Sequence, residues 1–301
     1  MIENCKLSLP IKGNYRMDKT IQKISYFVRE FDSLDEFYNV ACKDEGLKGY
    51  ASHSESSSKY DFTKTHTFSD AVHLARYGWE EGLAKLDYYE EMADKDYASK
   101  VADNIWDVEN QVTGSYVDVA SYLQGIPECM CDFVSKRTNN FADVIVNPTI
   151  SAFVKADTII KRGREIIKLV DALEKRHIKT RVSLIQVVKG WEGNYYILHI
   201  TCKDYNDLLD QNRLVFALAH PSMTRRIMFA MQEQETDIRE DFGCPDGGYG
   251  RPGNIKNLAP EIWKSKYENT YTFIFDDVNH TEEDIDEVKK KVEEIVNKGV
   301  L

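Results

Sequence analysis

From residue 141 onward the chain alternates between short apolar runs and amphipathic stretches, and that rhythm constrains the fold more than any other feature. Phe141–Val146 is apolar except for Asp143, which suits a buried strand. A helix is expected over 157–175, with Ile159, Ile160, Ile166, Ile167, Val170 and Leu173 along one face. Residues 182–188 form a second strand, and Trp191-Glu192-Gly193-Asn194 turns the chain into a third at 195–201. Two helices, over 205–219 and 221–233, meet at His220-Pro221, where proline suits a first helical turn. A buried strand at 271–275 and a helix at 281–297, capped by Thr281 with Asp284 three residues on, complete the pattern. Such alternation means an α/β domain, a largely parallel sheet covered on both faces.

The first part of the chain is a mixed α+β region. Ile24, Tyr26 and Val28 fit a strand, and Ser33 with Glu36 forms a capping box for a helix running to about Cys42. Residues 48–61 are polar and Ser-rich, as in a surface loop. Thr67 or Ser69 caps a short helix with Ala71, Leu74 and Ala75 inward, stopped by Gly78, and a longer helix is expected over 83–101. Residues 105–125 read as extended or looped, with Gly125 and Pro127 marking a turn. Trp79 and Trp191, each beside a glycine, are expected to anchor packing. Gly163 is where another backbone can approach closely. A boundary near Thr138 divides the chain into 1–138 and 139–301.

Of 301 residues 42% are hydrophobic and 30% charged, a globular balance. The 50 acidic against 39 basic residues give a formal charge of −11, which argues against direct duplex nucleic-acid binding, since that requires clustered Lys and Arg. No CxxC pair stands among the six cysteines, so a structural zinc site is not expected. With no signal-peptide pattern and no run of 18 apolar residues, no membrane association is expected, and the chain is placed in the cytoplasm.

Chemistry gathers at the end of the strand Phe141–Val146. Asn147, Thr149 and Ser151 place oxygen-bearing side chains at alternate positions, and Asp276-Asp277 follow the late strand. Parallel neighbours would bring both to one edge, where ligands collect at carboxyl ends of strands. This set would either hold a hard divalent ion, Mg²⁺ or Ca²⁺, or cap the next helix and brace the loop. No other cofactor is expected. Residues 141–301 resemble a von Willebrand factor A domain, with a three-layer, Rossmann-like sheet. Its adhesion motif Asp-x-Ser-x-Ser corresponds here to Asn147, Thr149 and Ser151, and its distant acid to Asp276 or Asp277. Asn147 in place of Asp removes one carboxylate from the metal set that this resemblance implies.

His220, Arg225 and Arg226 at a helix start could engage a phosphate or acidic partner; alternatively the histidine caps and the arginines pair with Glu233 or another acid. The loop 242–253, with Tyr249 and Arg251, has no Lys-Ser/Thr after its glycines and reads as a partner or oligomer contact. No Ser/His/Asp set, reactive cysteine or paired-carboxylate arrangement emerges, so no catalytic residue is assigned.

A second resemblance spans nearly the whole chain. Phe62-Thr63-x-Thr65, Gly78-Trp79-x-x-Gly82, Tyr122-Leu123-x-Gly125-x-Pro127-Glu128-x-Met130 and His220-Pro221-Ser222-x-x-Arg225-Arg226, in that order, are similar to a family of tailed-phage proteins. It implies a bacteriophage or prophage protein in the host cytoplasm. The expected role is non-enzymatic binding of a host or phage protein, such as inhibition of an anti-phage complex, with homo-oligomerisation. The alternatives are a virion-associated protein, or a metal- or nucleotide-dependent enzyme using the Asn147–Ser151 edge with Asp276.

Overall fold

A computed structural model describes residues 15–19, 24–43, 51–55, 60–82, 84, 106–135, 141–175, 178–191, 193–236, 238–244, 248–258, 270–277, 279, 286, 287 and 290. The helix expected over 83–101 and most of that over 281–297 lie outside these residues. The main sheet contains β1 (Tyr15–Lys19), β2 (Ile24–Phe31), β6 (Phe141–Val146), β7 (Lys179–Lys189), β8 (Tyr195–Lys203), β9 (Arg251–Pro252) and β10 (Thr270–Phe275). Its order is β1-β2-β8-β7-β6-β10, with β9 pairing the end of β7. Three of the five pairings along that path are parallel: β2 with β8, β7 with β6 and β6 with β10. The β7–β8 hairpin and the β1–β2 pair are antiparallel.

Period-two alternation sends Val144 and Val146 to one face and Ile145 to the other. Against the first face pack α1 (Leu34–Ala41), α3 (Phe68–Tyr77), α5 (Ala156–Lys175) and α6 (Gln211–Ala219), in one continuous apolar cluster. Ile255 and Leu258 cover part of the second face, over Val28, Ile185, Val187 and Ile197. The chain is therefore an α/β protein, a mostly parallel sheet flanked by helices. Neither sheet nor core respects the boundary expected near 138. Strands β1 and β2 extend the sheet of the later half, and Phe37, Ala71 and Ala75 share a cluster with Val170 and Phe216.

Local signals fix the helix ends. Ser33 accepts from the Glu36 N–H, while the Glu36 carboxylate reaches back to Asp32 N rather than to Ser33 itself. Thr67 and Asp70 form a complete capping box, and Gly78 ends α3 at φ 89°. Gly163 lets α5 lie against α6: an added Cβ would stand 2.4 Å from Ala219 Cα. Asp143, the polar exception in β6, is 1% exposed, takes a two-pronged bond from its cross-strand neighbour Arg181 at 3.0 and 3.1 Å, and accepts from the Tyr205 hydroxyl.

A small second sheet stands beside this body. Strands β3 (Trp106–Gln111), β5 (Met130–Ser135) and β4 (Tyr116–Val117) pair antiparallel in the order β3-β5-β4, with α4 (Val119–Leu123) capped by Asp118. Two expectations fail. Trp191 is 59% exposed rather than a packing anchor, and Ser52, in the supposed surface loop, is fully buried. Trp191 lies under the Arg251 guanidinium, 4.7 Å from it, at the outer end of the β7–β8 turn.

Candidate functional site

The parallel register of β6 and β10 brings Asn147 beside Asp276, as strand-end reasoning predicts. Asn147 continues the ladder through its N–H to Phe275 O (2.8 Å), and its side chain links three segments. Oδ1 accepts from Thr149 N at 3.0 Å, and Nδ2 donates to Gly253 O at 2.8 Å and to Asp276 Oδ1 at 2.9 Å. Asp276 also accepts from Ile255 N (2.7 Å) and Lys256 N (2.9 Å), capping the short 3-10 turn Ile255–Asn257. Thr149 Oγ1 accepts from Val187 N at 2.8 Å. Asp277 is turned into its own loop, accepting from Asn279 N, and Ser151 Oγ from Phe153 N at 3.5 Å.

These contacts realise the bracing alternative. The Asn147 amide donates straight into the Asp276 carboxylate. Among the described residues no cluster of three or more His, Cys, Asp or Glu comes together.

The residues 220–226 are placed quite differently from a partner surface. His220, Arg225 and Arg226 are 4%, 2% and 0% exposed. His220 Nδ1 accepts from Ser222 N at 3.1 Å, the capping role, and its ring lies between Phe216 and Trp79. Burial holds its pKa down at about 3, so the ring is neutral. The arginines sit on the π-helical turn Met223–Met228, all six of whose residues are buried. Arg226 donates to Thr65 Oγ1 and to the carbonyls of Ser52, Ser54, Thr65 and His66. Arg225 donates to Phe62 O (2.7 Å) and Val154 O (2.6 Å), with its guanidinium 3.8 Å above the Phe62 ring. Their partners are backbone carbonyls and the Thr65 hydroxyl, not Glu233. That buried carboxylate instead accepts from Ser52 N, Ser52 Oγ and the Tyr249 hydroxyl, and burial pushes its pKa up.

A cavity of about 360 Å³ opens beyond the carboxyl ends of β6 and β7, within the range of small-molecule sites. Phe62, Ser151, Gln186, Arg225, Phe229 and Tyr249 are among its walls. Tyr249, expected as an outward contact, stacks on Phe229 at 3.8 Å and 3° and faces this space. Two of the lining residues each hold a fully buried side-chain atom without a hydrogen bond, Arg225 Nε and Gln186 Oε1. Among the described residues no carboxylate is within salt-bridge distance of Arg225, and burial lowers its pKa to about 10.

Arg225 was singled out from the sequence as a partner contact, and Gln186 was not. Gln186 carried a legible signal, a lone amide within Leu184-Ile185-Gln186-Val187-Val188; for Arg225 the sequence suggested a charged partner, an outside acid or Glu233, rather than backbone carbonyls. Burial pushes the Cys42 and Cys202 thiols up to about 12, which keeps these two protonated. Among the described residues no helix is long and apolar enough to cross a membrane.

Comparison with curated proteins and with solved structures gives no match. Residues 15–299 match a family described only as a domain of unknown function, and the match covers nearly the whole sequence. The chain therefore belongs to the family Domain of unknown function (DUF7192).

Proposed function

We propose that this protein works by binding another protein, from the host or the phage, through the small sheet β3-β5-β4 and its helix α4. The supporting observation is apolar exposure. Val112, Tyr116, Val117, Val119, Tyr122, Leu123 and Ile126, all within 112–126, are each at least 40% exposed, and Leu123 reaches 78%. At ~150 Å² per large side chain that amounts to on the order of 600 Å² of apolar surface, at the top of what monomers display. Residues 110–131 include Asp118 and Glu128 but no Lys or Arg. A second copy would set acid against acid, so the occupant that fits is a different protein with an apolar face rimmed by Lys or Arg.

The host-or-phage assignment rests on the similarity to tailed-phage proteins. Inhibition of a host defence complex is one role such binding would serve, and a virion accessory role is another. An enzyme using a metal or nucleotide at Asn147–Ser151 is a third reading; there Asp276 already accepts from Asn147, Ile255 and Lys256.

The test is affinity with a defined partner. The tagged full chain is recovered under gentle conditions from infected and uninfected bacteria, and the partner is identified and purified. Its Kd is then measured against Tyr122→Ser/Leu123→Ser. The reading expects a loss of about 30-fold or more, the scale of a central apolar contact. Unchanged affinity overturns it, as does a wild-type chain that stays monomeric and retains no protein. A homodimer abolished by the same variant would replace the foreign partner with a second copy. Detection of the protein in purified particles would favour the virion role.

A further inference from the structure

We propose that the cavity beyond β6 and β7 binds a small, uncharged aromatic compound of one or two fused rings. Its walls favour an apolar occupant. Phe62, Val188, Pro252 and the stacked Phe229–Tyr249 pair contribute ring and aliphatic surface, and no Asp or Glu stands among the described wall residues. The polar side chains of the wall direct their hydrogen bonds into the protein. Thr63 Oγ1 donates to Thr65 O at 2.9 Å, Thr224 Oγ1 donates to Pro148 O at 3.3 Å, Thr149 Oγ1 accepts from Val187 N, and the Tyr249 hydroxyl donates to Glu233. Water in such a space finds few fixed partners, so an apolar ligand that displaces it gains affinity.

Arg225, the one cation among the described wall residues, sets the charge of the ligand at zero. Its terminal nitrogens already donate to Phe62 O (2.7 Å) and Val154 O (2.6 Å), and its guanidinium lies 3.8 Å from the Phe62 ring. A cationic ligand would meet this charge at close range. An anionic one would give up its hydration for a guanidinium already tied to two carbonyls. Shape follows from the Phe229 and Tyr249 rings, which lie parallel at 3.8 Å and 3° and offer flat surface to a flat ring. A volume of about 360 Å³ is at the lower end of small-molecule sites and suits one or two fused rings. Position agrees with chemistry, since ligands of open α/β sheets lie outside the carboxyl ends of the strands. The described walls share no residue with the small sheet β3-β5-β4, so this site is separate from the docking surface proposed above.

Calorimetry and ligand-observed NMR on the full chain with indole and 2-naphthol test the proposal. Saturable 1:1 binding of at least one of the two is expected. The same ring carrying a carboxylate, 2-naphthoate, should bind about tenfold more weakly than 2-naphthol, or worse. Phe229→Leu keeps the wall apolar and removes one flat face, so it should weaken the bound ring about fivefold, the scale of one aromatic pair. Ser151→Phe, which fills the cavity from an adjacent loop, should abolish binding; melts of the free variants verify that each is folded. No binding of either neutral compound to the wild type at millimolar concentration overturns the proposal. So does 2-naphthoate binding as tightly as 2-naphthol, or wild-type affinity in either folded variant.

Discussion

Arg226→Met tests whether polar bonds from one buried cation hold the first part of the chain to the sheet body. Arg226 is fully buried and donates to Thr65 Oγ1 (2.8 Å), Ser52 O (2.7 Å), His66 O (3.0 Å), Ser54 O (3.2 Å) and Thr65 O (3.2 Å). Methionine keeps much of the apolar stem and removes every donor. Each abandoned buried acceptor costs about 1–3 kcal/mol, but removing a desolvated cation returns part of that, and the 51–66 segment can lift into water. The net loss should be about 3–5 kcal/mol, in the range where large single-site effects fall. At about 2 °C per kcal/mol for a chain of this size, the melting temperature drops by about 6–10 °C. Calorimetric melts give the magnitude, and amide exchange at Ser52 shows whether that segment opens first. Arg226→Lys retains the charge but has a single donating centre, so it should recover less than half of the loss. A methionine variant within about 1 kcal/mol of wild type would refute the account, because ordinary surface changes are nearly that large. Full recovery by lysine would show that charge, rather than the fork of donors, does the holding.

Three further outcomes follow from the same geometry. Asn147→Asp sets a second carboxylate 2.9 Å from Asp276; the variant should be destabilised in chelator and regain stability in millimolar Mg²⁺ or Ca²⁺, while a wild type that shifts equally would show that the amide does not stand in place of an ion. His220 titrates at about 3 when folded against 6.5 when free, so the unfolded chain takes up the proton first and stability present above pH 6.5 is lost as pH falls toward 3. His220→Asn retains an acceptor for Ser222 N and removes that slope; its denaturant-melt stability should fall by about 2 kcal/mol less than wild type between pH 6.5 and 5, and parallel curves would contradict the buried neutral ring. Gly163→Ala drives a methyl into Ala219 Cα and Leu218 O at 2.4 and 2.5 Å; overpacking of about 2–3 kcal/mol, offset by ~1 kcal/mol of helix propensity, should lower stability, and a more stable variant would mean the helices separate freely.

The parts legible in the sequence are those written locally. Strands β6, β7 and β10 are near-continuous apolar runs, the face of α5 follows a helical period, and Thr67 with Asp70 announces its cap. Even the Asn147–Asp276 meeting was legible, because parallel strands of known ends bring their following residues together. What the sequence left open depends on distant partners. Nothing in Ile24–Phe31 tells that it will lie parallel to β8, so the mixed register and the shared core across residue 138 were not foreseen. Consecutive arginines suggest an acidic partner because buried cations are rare, and the carbonyls that receive Arg225 and Arg226 carry no side-chain signature. The same holds for Ser52, whose burial follows from contact with Glu233. The cavity was invisible because its walls come from five separate stretches of the chain.

The place of β2 has a consequence for synthesis. One edge of this strand pairs with its neighbour β1, but the other edge faces β8, whose paired residues lie 169 positions further along (Tyr26 with Tyr195). At ribosomal rates of about 5–20 residues per second, that edge stays open for roughly 10–30 s after it emerges. During that interval a nascent chain offers unpaired backbone and the side chains of Val28 and Phe31 to whatever is near, so β2 is the segment where a chaperone or a neighbouring copy would first intervene.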